Sequence, residues 1–180
     1  MTKRYTHAIF IGRFEPWHNG HQSAALKALE IADNVLFLVG SAYQAKTPMN
    51  PLSFHERQGL IMGSMRGRPH FIFSIEDQPE EDWVADVQQI VADFQKDDSK
   101  VCIVGHLKDE SSYYLKIFPQ WKFIDVGETP VVHNGVKIGA TLIRDLMFTG
   151  HWDLRASMIA ALSVESTIAA ESGAARDLIA

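Results

Sequence analysis

Five short apolar runs recur along the chain, at Ala8–Ile11, Val35–Val39, Phe71–Ile75, Val101–Val104 and Phe123–Val126, each about the length of a buried parallel strand. Between them lie segments with helical spacing, such as Ala24, Ala25, Ala28, Leu29 and Ala32, or Val84, Val87, Val91 and Phe94. Strands that alternate with helices join in parallel, and runs apolar throughout need cover on both faces. The pattern therefore predicts an α/β fold: a five-stranded parallel sheet with helices on both sides. At 180 residues the chain can build one complete core and is short for two.

Several boundaries carry their own chemistry. Ser53 followed by Glu56 has capping-box spacing and predicts a helix from there to about Met65. Asn134-Gly135, between Val131, Val132 and Val136, Ile138, predicts a tight hairpin, followed by a helix from about Ala140 to Gly150. The stretch from Ser157 to Ala180 is rich in Ala and Ser, with Ile159, Leu162, Ile168 and Leu178 as apolar anchors. It is expected to form one or two helices against the sheet or a second subunit.

The formal net charge of -5 argues against a general nucleic-acid binder, which needs a basic surface to neutralise phosphates. An anionic ligand must instead meet a local cluster of positive groups. Cys102, the single cysteine, lies in an apolar run, so a buried, inert thiol and a reducing cytoplasm are expected. Met1 to Thr6 lacks the long apolar stretch of a signal peptide and no later segment approaches the roughly 20 apolar residues of a membrane span, so a protein neither secreted nor embedded is expected.

Gly12-Arg13-Phe14-Glu15-Pro16-Trp17-His18-Asn19-Gly20-His21 follows the first expected strand and opens the first helix. That places a helix N-terminus at the carboxyl edge of the sheet, where open α/β folds bind ligands and free amides favour phosphate. His18 and His21, three residues apart, project from one side, so both imidazoles can reach one phosphoryl group. The bland alternative is that His18 caps the helix and His21 fills the surface. Ile138-Gly139-Ala140-Thr141-Leu142-Ile143-Arg144 repeats the arrangement at a later helix start, with a hydroxyl and a guanidinium fork for phosphate oxygens. Taken alone, Arg144 could equally pair with Asp145 or Asp153 on the surface.

These two stretches resemble the two signatures of the HxGH nucleotidyltransferases. The fuller pattern is similar to the archaeal-type nicotinamide mononucleotide (NMN) adenylyltransferases, including bacterial versions fused to a Nudix hydrolase domain. A third stretch, Gly40-Ser41-Ala42 with Asn50-Pro51 and Glu56-Arg57, resembles the family's loop and helix after the second strand. The resemblance spans about Ala8 to Gly150 and implies a Rossmann-like nucleotidyltransferase fold. Residues 1–150 would form the transferase domain and 151–180 a helical extension of it. With the chain ending at Ala180, no Nudix partner and no hydrolase activity are expected.

Carried over by residue, the resemblance implies that His18 and His21 hold ATP phosphates and that Arg13, Thr141 and Arg144 grip the triphosphate. Gly12, Phe14 and Gly105 join the ATP-binding surface. His18, His21 and Arg144 form the catalytic set, and Asn50, Arg57 and Trp83 line the NMN pocket, with Trp83 stacking on the nicotinamide ring. Trp83 reads equally as a core residue of an amphipathic helix. Gly139 and Ala140 depart from the family's small hydroxyl residues, which leaves Thr141 as the side-chain donor ahead of Arg144.

The implied reaction joins NMN and ATP into NAD with release of pyrophosphate, assisted by Mg²⁺ that enters with ATP. Partners are then small molecules, with neither nucleic acid nor membrane, and a homo-oligomer is in keeping with the family. A pantetheine-phosphate adenylyltransferase, a cytidylyltransferase and a non-catalytic nucleotide-binding module remain as alternatives. Other signals are weaker. Lys46 and Lys108 lie in loops near strand ends, where they touch phosphate or are simply solvated. His7, His55, His70, His106, His133 and His151 are scattered without HExxH or Cys/His spacing, so a protein-held metal is not expected. Glu76, Asp77, Glu80, Glu81 and Asp82 read as a solvated helix start.

Overall fold

The computed structural model describes residues 3–96, 98–106, 114–127, 131–133 and 136–149. Their elements are β1 (Tyr5–Gly12), α1 (Asn19–Ile31), β2 (Ala32–Val39), α2 (Phe54–Ser64), β3 (His70–Ser74), α3 (Glu80–Phe94), β4 (Val101–Gly105), β5 (Lys122–Asp125), β6 (Val131–His133), β7 (Val136–Ile138) and α4 (Ala140–Thr149). The first five strands form one sheet in the order β3-β2-β1-β4-β5, and every pairing in it is parallel.

That order fixes where a ligand can sit. The chain starts at β1, steps outward through β2 to β3, then returns to the other side of β1 for β4 and β5. Connections therefore leave in opposite directions at β1 and β4, opening a crevice between their carboxyl ends.

Period-two alternation divides the sheet's side chains between two cores. Ala8, Phe10, Val35, Phe37, Cys102 and Val104 pack with Ala25 and Ala28 of α1 and Ile61 of α2. Ile9, Ile11, Leu36, Leu38 and Ile103 pack instead with Val87 and Val91 of α3 and with Leu115, Phe118 and Trp121. Burying each large apolar side chain contributes about 1.5–3 kcal/mol. Burial pushes the Cys102 thiol up to about 12, so it stays protonated and inert.

Ala32 is a correction to the helical pattern. It opens β2 at φ -128 and donates its amide to Ala28 O, so α1 passes into β2 without a loop. A small apolar residue suits either element, and pairing opposite Tyr5 draws it into the sheet. The capping box forms as expected: Ser53 Oγ accepts from Glu56 N at 3.3 Å, and Ser53 N donates to Glu56 Oε2 at 2.6 Å. Glu80, Glu81 and Asp82 occupy the first turn of α3. β6 and β7 pair antiparallel, Val131 opposite Ile138. Asn134, Gly135, Lys108 and the stretch from Gly150 through the Ala/Ser-rich tail lie outside the described residues. Among the described residues no helix is long and apolar enough to cross a membrane.

Candidate active site

β1 ends at Gly12, where a Cβ would stand 3.0 Å from the Phe14 ring. Phe14 turns the chain with φ 52, and its ring packs between Phe10, Trp17, His21 and Phe37. A non-glycine residue in this left-handed region costs of order 1–3 kcal/mol and persists only where its surroundings hold it. The turn delivers His18 to the N-cap of α1, where its Nδ1 accepts from Gly20 N at 3.1 Å. An amide can only donate, so the ring proton of neutral His18 rests on Nε2, which becomes the ring's donor. His18 therefore does cap its helix, as the bland alternative had it, but with one nitrogen only. His21 lies half-buried against Phe14 and Trp17, stacked on His18 with ring centroids 3.8 Å apart.

The second signature meets the first directly. Arg144, in the second turn of α4 and 9% exposed, donates from Nη1 to the carbonyl of Glu15 at 2.7 Å. Its Nη2 donates to Thr141 Oγ1 at 3.3 Å. Arg144 thus reaches the backbone three residues before His18, while Asp145 acts on it electrostatically; Asp153 lies outside the described residues. Thr141 is exposed at the start of α4, and Gly139 and Ala140 are half-buried.

Behind this mouth, Arg57 is fully buried. Its Nη1 donates to Arg13 O and Gly40 O, each at 2.7 Å, its Nη2 to Ser41 O at 3.1 Å, and its Nε to Ser53 O at 3.3 Å. Glu15 faces it, Oε1 to Nε 3.1 Å, while Glu15 Oε2 accepts from Leu52 N at 3.2 Å. Burial pushes the Glu15 carboxyl up to about 7, against the pull of Arg57, the Leu52 amide, Arg144 and Arg13. The same burial lowers Arg57 and Arg144 from their usual range. Arg13 is exposed and donates to the buried Asn50 Oδ1 at 3.4 Å. Lys46 is taken up by Glu56, 2.9 Å away.

On the other side of the crevice, a Cβ at Gly105 would stand 2.8 Å from Leu115 Cδ1. Only glycine lets β4 end against that side chain. His106 Nδ1 lies 3.1 Å from Asp125 Oδ1 where β4 and β5 end. Trp83, in the first turn of α3, is half-buried and packs against Tyr114 and Phe118.

Comparison with known proteins places this geometry. The cytidylyltransferase-like family matches residues 9–144. The chain belongs to the cytidylyltransferase-like family. Within it, the chain is similar to the nicotinamide/nicotinic acid mononucleotide adenylyltransferase of Acinetobacter baylyi, 35% identical over 127 residues that cover 68% of each protein. It is also 31% identical over 155 residues to the nicotinamide-nucleotide adenylyltransferase of the archaeon Methanosphaerula palustris, covering 82% of this chain and 83% of that protein. A bifunctional NMN adenylyltransferase/ADP ribose pyrophosphatase from Francisella tularensis, complexed with AMP and a manganese ion, matches with TM-score 0.70 at 28% identity. That match covers 81% of this chain, which spans 42% of the Francisella protein.

The signatures in the sequence drew attention to His18 and Arg144, which the fold brings to one loop, and not to Glu15, whose side chain faces Arg57 in the interior. No spacing rule flags a lone glutamate inside a phosphate-binding signature. Arg57 was legible as a cation near the site, but its direction was not.

Proposed function

We infer that this chain transfers AMP from ATP to NMN, forming NAD and pyrophosphate. The observation that carries the reading is the Arg144–Glu15 carbonyl bond, because it joins the two phosphate-binding signatures at the point where the strand order reverses. Two helix N-termini and their side chains then face one anionic ligand, which the net charge of -5 elsewhere would repel.

The NMN phosphate is already an anion and needs no general base. Its oxygen forms a bond to the α-phosphorus of ATP as the bond from that phosphorus to the bridging oxygen breaks, and pyrophosphate leaves in line. The chain's task is alignment and charge stabilisation. His18 donates from Nε2, His21 stands stacked beside it, and Arg13, Thr141 and Arg144 hold the outer phosphates. Gly12 and Gly105 bring the ends of β1 and β4 against Phe14 and Leu115, which sets the backbone beside the nucleotide. Phe14 shapes the turn from within the core. Asn50 steadies Arg13, and Arg57 supports the loop from behind instead of touching NMN. Trp83, half-buried in the first turn of α3, is the aromatic whose indole face stacks on the pyridinium ring, since the negative face of the ring quadrupole attracts its charge.

Magnesium fits this site as an ion carried on the nucleotide. Among the described residues no group of three or more His, Cys, Asp or Glu is placed to hold a metal, and Mg²⁺ takes most of its oxygens from phosphates and water. Bound there, it neutralises phosphate charge. A buried thiol and small charged substrates suit a cytoplasmic setting.

An acceptor panel tests the reading. With ATP labelled at the α-phosphate, label should enter NAD when NMN is supplied. Label passing to phosphopantetheine instead, or staying in ATP with every acceptor, would contradict it.

A further inference from the structure

A carboxylate within a triphosphate-binding loop repels the ligand unless it is turned to another use. Glu15 stands two residues after Arg13 and three before His18, yet its side chain is 1% exposed and faces Arg57, which is 0% exposed. Arg57 in turn donates to four carbonyls, those of Arg13, Gly40, Ser41 and Ser53. Carbonyls satisfy its N–H groups but not its charge, and a buried cation without a counter-charge is strongly unfavourable. Glu15 is the carboxylate in contact; Asp77 acts on Arg57 from farther off.

The carbonyls that Arg57 holds flank the two left-handed residues at the sheet's mouth, Phe14 at φ 52 and Ser41 at φ 50. Such turns relax unless something fixes the neighbouring peptide units. Glu15 also anchors the second signature, since its own carbonyl receives Arg144 at 2.7 Å. One residue therefore joins the loop after β1, the loop after β2 and α4.

We propose that Glu15 is a positioning residue for the adenylyl transfer inferred above: its ionised carboxylate holds Arg57 in place, and Arg57 sets the loops that aim Arg13, His18 and Arg144. The groups facing this carboxylate are Arg57 from α2, Arg144 from α4, Arg13 from its own loop and the Leu52 amide. Among the described residues no hydrogen bond ends on Oε1, because the Arg57 Nε hydrogen goes to Ser53 O. That leaves the burial penalty partly uncompensated, in keeping with a carboxyl pushed up to about 7.

Glu15→Gln copies the protonated carboxyl in size, so wild type and variant should converge in acid and diverge in base. We expect the ratio of their kcat/KM values for ATP and NMN to be near one at pH 6. At pH 8 it should rise to about tenfold or more, the scale on which misplaced groups lower a rate. Ionisations elsewhere in the chain are common to both proteins and cancel in the ratio, and kcat/KM reports the free enzyme. A purely structural role would give the same ratio at both pH values, and a flat ratio overturns the proposal alone. Failure of wild type to make NAD at pH 8 overturns the transfer reading and this proposal together.

Should Glu15→Gln not fold by circular dichroism, carbon-13 NMR of glutamate carboxyls in the wild-type chain decides. One carboxyl titrating near neutrality, with its midpoint falling when ATP is added because the nucleotide and the ionised form favour each other, supports the proposal. All of them titrating below about pH 5, the ordinary range, overturns it.

Discussion

His18 divides its work between its two nitrogens. Nδ1 is engaged by the Gly20 amide, so removing the ring has a structural and a chemical consequence, and different substitutions separate them. His18→Ala should lose about 1 kcal/mol of stability with the cap. His18→Asn should keep the cap yet lose turnover by about a hundredfold, as when one donor to a developing charge is removed. Urea unfolding and steady-state rates on the two variants check this. His21→Ala should depress turnover far more than NMN affinity; equal losses in both would contradict its role on ATP.

Two carboxyls pull the pH dependence of stability in opposite directions. Hydrogen bonds from Ser53 and then Lys46 hold Glu56 at about 2, below its usual 4.5. Its stabilising contribution is present above pH 4.5 and lost as pH falls toward 2. Glu15, raised by burial from 4.5 to about 7, binds its proton more tightly when folded. Its contribution is full below pH 4.5 and lost as pH rises through about 7. Thermal melts across this range should show Glu56→Gln flattening the acid side alone. These residues also mark what a sequence conceals. The resemblance put Arg57 in the NMN pocket and no motif flagged Glu15, because residue type says nothing about which side of a loop faces the core.

Among the elements, those with strong local signals were legible. Strand runs apolar on both faces became the sheet, and Ser53 with Glu56 became a formed capping box. Arg13 and His18 lie at the carboxyl edge because a strand-to-helix junction points its helix N-terminus there, whereas Arg144 follows the separate β6–β7 hairpin and joins them through the Glu15 carbonyl. Ala32 went astray because its side chain favours neither helix nor strand, and pairing with β1 decided. Trp83 could not be assigned from its pattern, since stacking on a ligand and packing on Phe118 ask for the same helical face. The end of β4 offers a test at this scale. A methyl at Gly105 must displace Leu115, which is 2% exposed, so Gly105→Ala should cost about 1–3 kcal/mol by overpacking. Adding Leu115→Val should return part of that loss in urea unfolding.

For the whole molecule, strand order does what charge composition cannot. A chain of net charge -5 gathers His18, His21, Arg13 and Arg144 at the one crevice where its topology reverses, and the acidic remainder discourages polyanions such as nucleic acid. The alternation of runs foretold the parallel sheet, whereas the order β3-β2-β1-β4-β5 depends on long-range packing that no local window contains. The most direct test is a crystal structure of the chain with a non-hydrolysable ATP analogue. His18, His21, Arg13 and Arg144 should all contact the same triphosphate between the mouths of β1 and β4. A triphosphate held by one signature alone, with Arg144 still on the Glu15 carbonyl and no contact to the nucleotide, would contradict the convergent cradle.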